Sequence, residues 1–140
     1  MIFLDASVLV AVAQVHHERH AASRELWNQC EREKAATSVQ TVAELYNALT
    51  TPPPPFRVRS RDAVLALETF LARITTISLA GNEYMTVLAR AAQMELSGAA
   101  LYDALHLACA RKCGADKIYT LNVQQYQSAA PDLAPRIRMP

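Results

Sequence analysis

The chain opens with three apolar residues, Ile2-Phe3-Leu4, and Asp5 ends them abruptly. So short an apolar run, bounded by a charge, predicts a buried strand. Ser7 can cap a helix that runs through Ala13, and a polar connection follows from His16 to His20. Residues 21–34 carry Leu26, Trp27 and Cys30 at helical spacing, with Glu and Arg on the other face. The small residues 35–38 form a second strand candidate. Val42, Leu45, Tyr46 and Leu49 then recur at i, i+3, i+4, i+7, which predicts an amphipathic helix over 41–50 that Pro52 to Pro55 terminate.

A basic loop spans 56–60, and Val64, Leu67 and Leu71 form one stripe of a helix over 62–72. Ile74 to Leu79 alternates and is rich in β-branched residues, so it reads as a strand. Asn82 is placed to cap a helix running to about Glu95, and Ser97-Gly98 breaks it. Another helix covers 101–113 and stops at Gly114. Strands are expected at 117–120 and, as a short edge strand, at 136–139. The order β-α-α-β-α-α-β-α-α-β-(α)-β predicts one α/β domain over residues 1–140. Its central parallel sheet of four to five strands is covered by helices on both faces.

Composition narrows the function. Hydrophobic residues make up 51% of 140, enough for a sizeable core. With 3 Gly and no glycine-rich phosphate motif, the familiar nucleotide cradles are excluded. The net charge of +1 gives no global field, so a nucleic-acid partner would need a local basic face. Three cysteines, Cys30, Cys109 and Cys113, cannot build a disulfide framework and suit a reducing cytosol. No signal peptide and no membrane span are expected, which places the protein in the cytoplasm.

In parallel α/β sheets, functional groups gather at the carboxyl ends of the strands. The polar residues that follow the strands are Asp5, Glu44 and Asn122, and Asp103 follows the Ser97-Gly98 break in the first turn of the sixth helix. Each has an ordinary explanation: Asp5 suits an N-cap, Glu44 a solvated helix position, and Asp103 a helix-start carboxylate favoured by the macrodipole. Brought to one edge, three carboxylates would repel one another, and raised pKa values or bound cations must relieve that. All-oxygen ligands select Mg²⁺ or Mn²⁺ over zinc. Carboxylates holding one or two such ions are an apparatus for phosphodiester hydrolysis. On this reading, replacing any of the three by alanine removes a ligand, relieves repulsion and leaves the fold intact.

These residues also carry a resemblance. Met1-Ile-Phe-Leu-Asp5-Ala-Ser7 resembles the opening of a PIN domain. Thr37-Ser38-Val39-Gln40-Thr41-Val42-Ala43-Glu44-Leu45, Gly98-Ala-Ala-Leu-Tyr102-Asp103-Ala104-Leu105 and Ile118-Tyr119-Thr120-Leu121-Asn122 resemble its three later motifs, in order along nearly the whole chain. At this length the chain is similar to VapC toxins, the ribonuclease halves of VapBC toxin–antitoxin pairs. The resemblance implies a Mg²⁺- or Mn²⁺-dependent endoribonuclease with Asp5, Glu44 and Asp103 as metal ligands, Asn122 in the catalytic set, and Ser7 and Thr120 in support. Asn122 stands where the fullest pattern has Asp, which bears on a second metal rather than the first. It further implies an RNA substrate, a VapB-like antitoxin and a homodimer within the toxin–antitoxin complex.

Other features weigh in around that core. Arg57, Arg59 and Arg61 are either a solvated loop or a phosphate-holding edge. Tyr102 can pack or stack on a base, and His106 can pack in the core or approach the site. His16, His17 and His20 do not fit an H-E-x-x-H metal motif. Trp27, Leu26, Leu45, Tyr46 and Leu49 read as core, with part of the set available as a groove for an antitoxin helix. Two alternatives compete. An aspartyl-nucleophile phosphatase would need a second Asp where Ser7 stands. A catalytically silent PIN-like binding module has Asn122 as its support.

Overall fold

The computed structural model describes residues 1–30 and 34–140. Its described elements are β1 (Ile2–Leu4), α1 (Ala6–Ala13), α2 (His20–Gln29), β2 (Ala35–Ser38), α3 (Gln40–Thr50), α4 (Ser60–Leu71), β3 (Thr75–Ile77), α5 (Gly81–Gln93), α6 (Ala99–Lys112), β4 (Lys117–Tyr119), α7 (Val123–Ala129), a 3₁₀ turn (Pro131–Arg136) and β5 (Ile137–Arg138). The strands form one sheet in the order β3-β2-β1-β4-β5. All four pairings are parallel, as strands joined by helical crossovers require.

The first strand lies at the centre of the sheet and alternates between its two faces. Ile2 and Leu4 point into one core with Val8, Leu26, Trp27, Leu45 and Leu49. Phe3 points into the other with Leu107, Ile118, Tyr126 and Ile137. Period-two alternation in a strand covered on both faces makes all three residues apolar, and none is more than 4% exposed. Burying Phe3 and Leu4 contributes about 1.5–3 kcal/mol each.

The sequence pattern differs from the structure mainly at element ends. Asp5, not Ser7, is the N-cap of α1, and Ser7 lies inside the helix. The fifth helix starts after Ala80 rather than at Asn82, because the Glu83 carboxylate accepts the Ala80 N–H at 2.6 Å. The expected strand over 74–79 is confined to Thr75–Ile77, a sheet edge with two exposed threonines. Residues 31–33 of the second expected helix lie outside the described residues. Gly98 and Gly114 have φ of +59° and +66°, in the left-handed region that favours glycine. They set the start of α6 and the turn that leads into β4.

Candidate metal and nucleic-acid site

The central strand delivers Asp5 to the carboxyl edge of the sheet, where it is 4% exposed. Its backbone N–H continues the ladder to Tyr119 O at 3.0 Å. Its carboxylate Oδ2 accepts the Ser7 hydroxyl at 2.6 Å, the Thr120 hydroxyl at 3.0 Å and, more weakly, the Ser7 amide at 3.4 Å. Its Oδ1 accepts the Tyr126 phenol at 2.5 Å. Ser7 Oγ in turn accepts the Leu121 N–H at 3.0 Å, and Thr120 Oγ1 accepts the Asn122 N–H at 3.0 Å. A buried carboxylate is tolerated only when hydrogen-bonded, and four donors, from α1, α7 and the residue just after β4, meet that need.

The second acidic position is built differently. Glu44 sits in the second turn of α3 with its side chain 39% exposed. Its Oε1 lies 2.9 Å from Nε2 of His106, which α6 buries to 2%. The other ring nitrogen, Nδ1, is 2.7 Å from Ser38 Oγ. Ser38 Oγ reaches Thr41 Oγ1 at 3.3 Å, and Thr41 Oγ1 lies 2.9 Å from Thr37 Oγ1, which donates to Leu4 O at 2.7 Å. A string of small hydroxyls at the β2–α3 junction thus fixes the ring from the β1 side. Burial pulls the His106 pKa down, but the hydrogen bond to Glu44 and the charges of Asp5, Glu44 and Asp103 outweigh it and leave it raised.

Asp103 enters from the first turns of α6, half-buried, and accepts no hydrogen bond from any described residue. Burial, then the neighbouring charges of Asp5 and Glu44, push its carboxyl up to about 6, against a smaller opposing pull from His106. Asp5, Ser7, Glu44, Asn47, Tyr102, Asp103, His106 and Asn122 line one open cleft of about 530 Å³. Tyr102 stands 55% exposed at its wall. The structure therefore brings together all four of the expected residues.

Several expectations are redirected. Arg57, Arg59 and Arg61 do not line the cleft; Arg57 Nε binds Pro52 O and Arg59 pairs with Asp62. The His16 ring stacks on Phe56 at 4.2 Å, His17 caps the Arg19 amide, and His20 contacts Ala11 O. Trp27, Leu26, Leu45 and Leu49 are at most 6% exposed, so they are core and cannot form a groove for a partner helix. Tyr46 packs against that same core. The sequence reading missed Tyr126, which looks like an ordinary core aromatic one turn after Asn122. It also left open that His106 belongs to the site; its place three residues after Asp103, on the same helix face, was the available signal.

The donor set suits a hard divalent cation in chemistry. The three acidic ligand candidates offer only oxygen, and the raised Asp103 carboxyl is a charge the protein leaves uncompensated. The carboxylates surround the cleft without closing on a point: among the described residues no three His, Cys, Asp or Glu side chains already form a metal cage. Three of the four lone-pair directions of Asp5 are taken by hydroxyls, leaving one on Oδ1.

Comparison with known proteins agrees with this architecture. The family description "PIN domain" matches residues 2–130. Ribonuclease VapC40 of Mycobacterium tuberculosis is 33% identical over 131 residues, 91% of each chain. In fold, the chain is similar to the crystal structure of M. tuberculosis VapC20, a Sarcin-Ricin loop cleaving toxin, with TM-score 0.74, 17% identity, and 93% and 95% of the two chains covered. It is also similar to a chain of VapBC2 from Rickettsia felis bound to a promoter DNA fragment, with TM-score 0.66, 19% identity, and 99% and 98% covered. Strand order, cleft and family match thus converge, and the chain belongs to the PIN domain family, with similarity to its VapC proteins.

Proposed function

We propose that this chain is a Mg²⁺- or Mn²⁺-dependent endoribonuclease acting as the toxin of a toxin–antitoxin pair. The observation that carries the reading is the convergence of Asp5, Glu44 and Asp103, from three separate elements, on one cleft edged by Asn122. Asp5 and Asp103 would hold the ion, with Glu44 and Asn122 completing the set. Bound there, a divalent cation lowers the pKa of water and offsets charge on the leaving oxygen. The chain's own part is positional. Ser7, Thr120 and Tyr126 fix Asp5, and His106 fixes Glu44. Tyr102 offers an exposed ring at the cleft for stacking on a base.

A ribonuclease of this kind needs an inhibitor in its own cytoplasm. The name VapBC2 describes such a pair, and it supports a VapB-like partner for this chain. An Arg or Lys from that partner suits an acidic cleft. The anchoring surface must lie outside the buried Trp27 and Leu49. A homodimer is consistent with α5, where Met85 and Leu88 are exposed while Ala91 is the one buried residue. No described helix is long and apolar enough to cross a membrane.

The test is incubation of the purified, partner-free chain with a panel of structured RNAs, with and without Mg²⁺ or Mn²⁺. Metal-dependent cleavage that Asp103→Ala abolishes supports the reading. Tight RNA or protein binding with no cleavage under any metal would instead favour a silent binding module.

A further inference from the structure

We propose that the Tyr126 hydroxyl sets how tightly Asp5 holds a divalent cation, by drawing charge from the oxygen that would ligate it. This rests on the metal-dependent reading above. Oδ2 of Asp5 is saturated by the hydroxyls of Ser7 and Thr120, so only Oδ1 has a lone pair left for an ion. Tyr126 donates to that same Oδ1 and is itself 0% exposed. A phenol on the ligating oxygen withdraws charge from its remaining lone pair.

The ring is held independently of the hydroxyl. Its helix packs on α6, and the side chain sits in the second core beside Phe3 and Ile118. Asp5 is also held independently of Tyr126, by the donors on Oδ2 and by its place between β1 and α1. Removing the hydroxyl alone therefore leaves the geometry in place and returns charge to Oδ1. Removing a group hydrogen-bonded to a metal ligand usually costs roughly 10–100-fold in affinity, because the ligand's orientation goes with it. With orientation preserved, the expected sign is a gain, at the low end of that range. The protein without metal is correspondingly less stable, because a buried carboxylate oxygen loses its donor.

Tyr126→Phe in the full chain tests this by calorimetric titration with Mn²⁺ alone, beside thermal melting with and without the ion. The expected result is tighter Mn²⁺ binding, by up to about ten-fold, the low end of the size such partners carry, with a lower metal-free melting temperature and a larger Mn²⁺-induced rise. Unchanged or weaker affinity with an intact circular dichroism spectrum overturns the tuning role. Absence of Mn²⁺ binding by the unsubstituted chain overturns the metal-dependent reading itself, and this inference with it.

Discussion

Two aspartates face the same cleft and are treated in opposite ways. Asp5, at the end of the central strand, is wrapped by donors from α7, its own helix and the residue just after β4. Asp103, on α6, accepts no hydrogen bond from a described residue, and its carboxyl is pushed up to about 6. The protein has compensated one carboxylate internally and left the other in want of a cation. That difference teaches which wall is scaffold and which is receptor: Asp5 is in place before any ligand arrives, whereas the charge of Asp103 is only fully favourable once something positive does.

The largest expected effect comes from breaking the scaffold wall. Asp5→Ala leaves the Ser7, Thr120 and Tyr126 hydroxyls without their acceptor in a buried place, at a cost of about 3–5 kcal/mol. Losing the carboxylate relieves repulsion, as expected for all three acidic residues, but at Asp5 the orphaned donors outweigh that relief and the fold is weakened. Chemical denaturation reads the loss, and cleavage is expected to fall by ~10²–10³-fold. Equal stability of variant and parent would show that the donor shell is not earning its order.

Asp103→Asn should lose cleavage comparably yet move stability the other way. The folded carboxyl has a raised pKa, about 6 against 3.8, so folding favours its protonated form. Below about pH 4 both states are protonated and no penalty exists; the penalty grows between about pH 4 and 6 and is complete above. Without metal at pH 8 the variant should gain about 1–2 kcal/mol after discounting for solvent screening, and the gain should vanish near pH 4. Melting across that window checks it, and a pH-independent difference would dissolve the contrast between the two aspartates.

Smaller effects come from the flanks. His106→Leu frees Glu44 and should reduce cleavage by roughly ten-fold, seen in kcat rather than KM. Because the His106 pKa is raised in the fold, its pairing stabilises fully below about pH 6.5 and fades as pH rises through the folded value. The parent-to-variant stability gap should therefore narrow toward alkaline pH. Smallest of all, Asn122→Asp adds charge at the cleft edge and should tighten Mn²⁺ about three-fold. Calorimetry showing identical affinity and stoichiometry would remove Asn122 from the site.

The sheet was readable because its central strand has to be apolar on both faces, and a three-residue run ending in Asp leaves few other readings. Asp5, Glu44 and Asn122 follow strands and were legible from topology, whereas Asp103 follows a break between two helices and stood out as a charge in an apolar helix. Helix starts were harder, since Asp5 and Ser7 both satisfy the capping chemistry and only geometry chooses between them. Periodicity marks which face of a helix is apolar, but not whether that face meets the sheet or a partner; Trp27 and Leu49 therefore left the groove reading open, and burial closed it. Tyr126 was invisible for a related reason. A buried tyrosine on an apolar stripe looks like packing, and the partner of its hydroxyl lies 121 residues away.

That separation has a consequence in time. The central strand is made first, yet its neighbour β4 is residues 117–119, and two of the hydroxyls that order Asp5 arrive 115 and 121 residues later. During synthesis only Ser7 is at hand to bind the carboxylate until Thr120 and Tyr126 have emerged from the ribosome. The order of the cleft is thus completed late in synthesis, by residues far from the strand that carries Asp5.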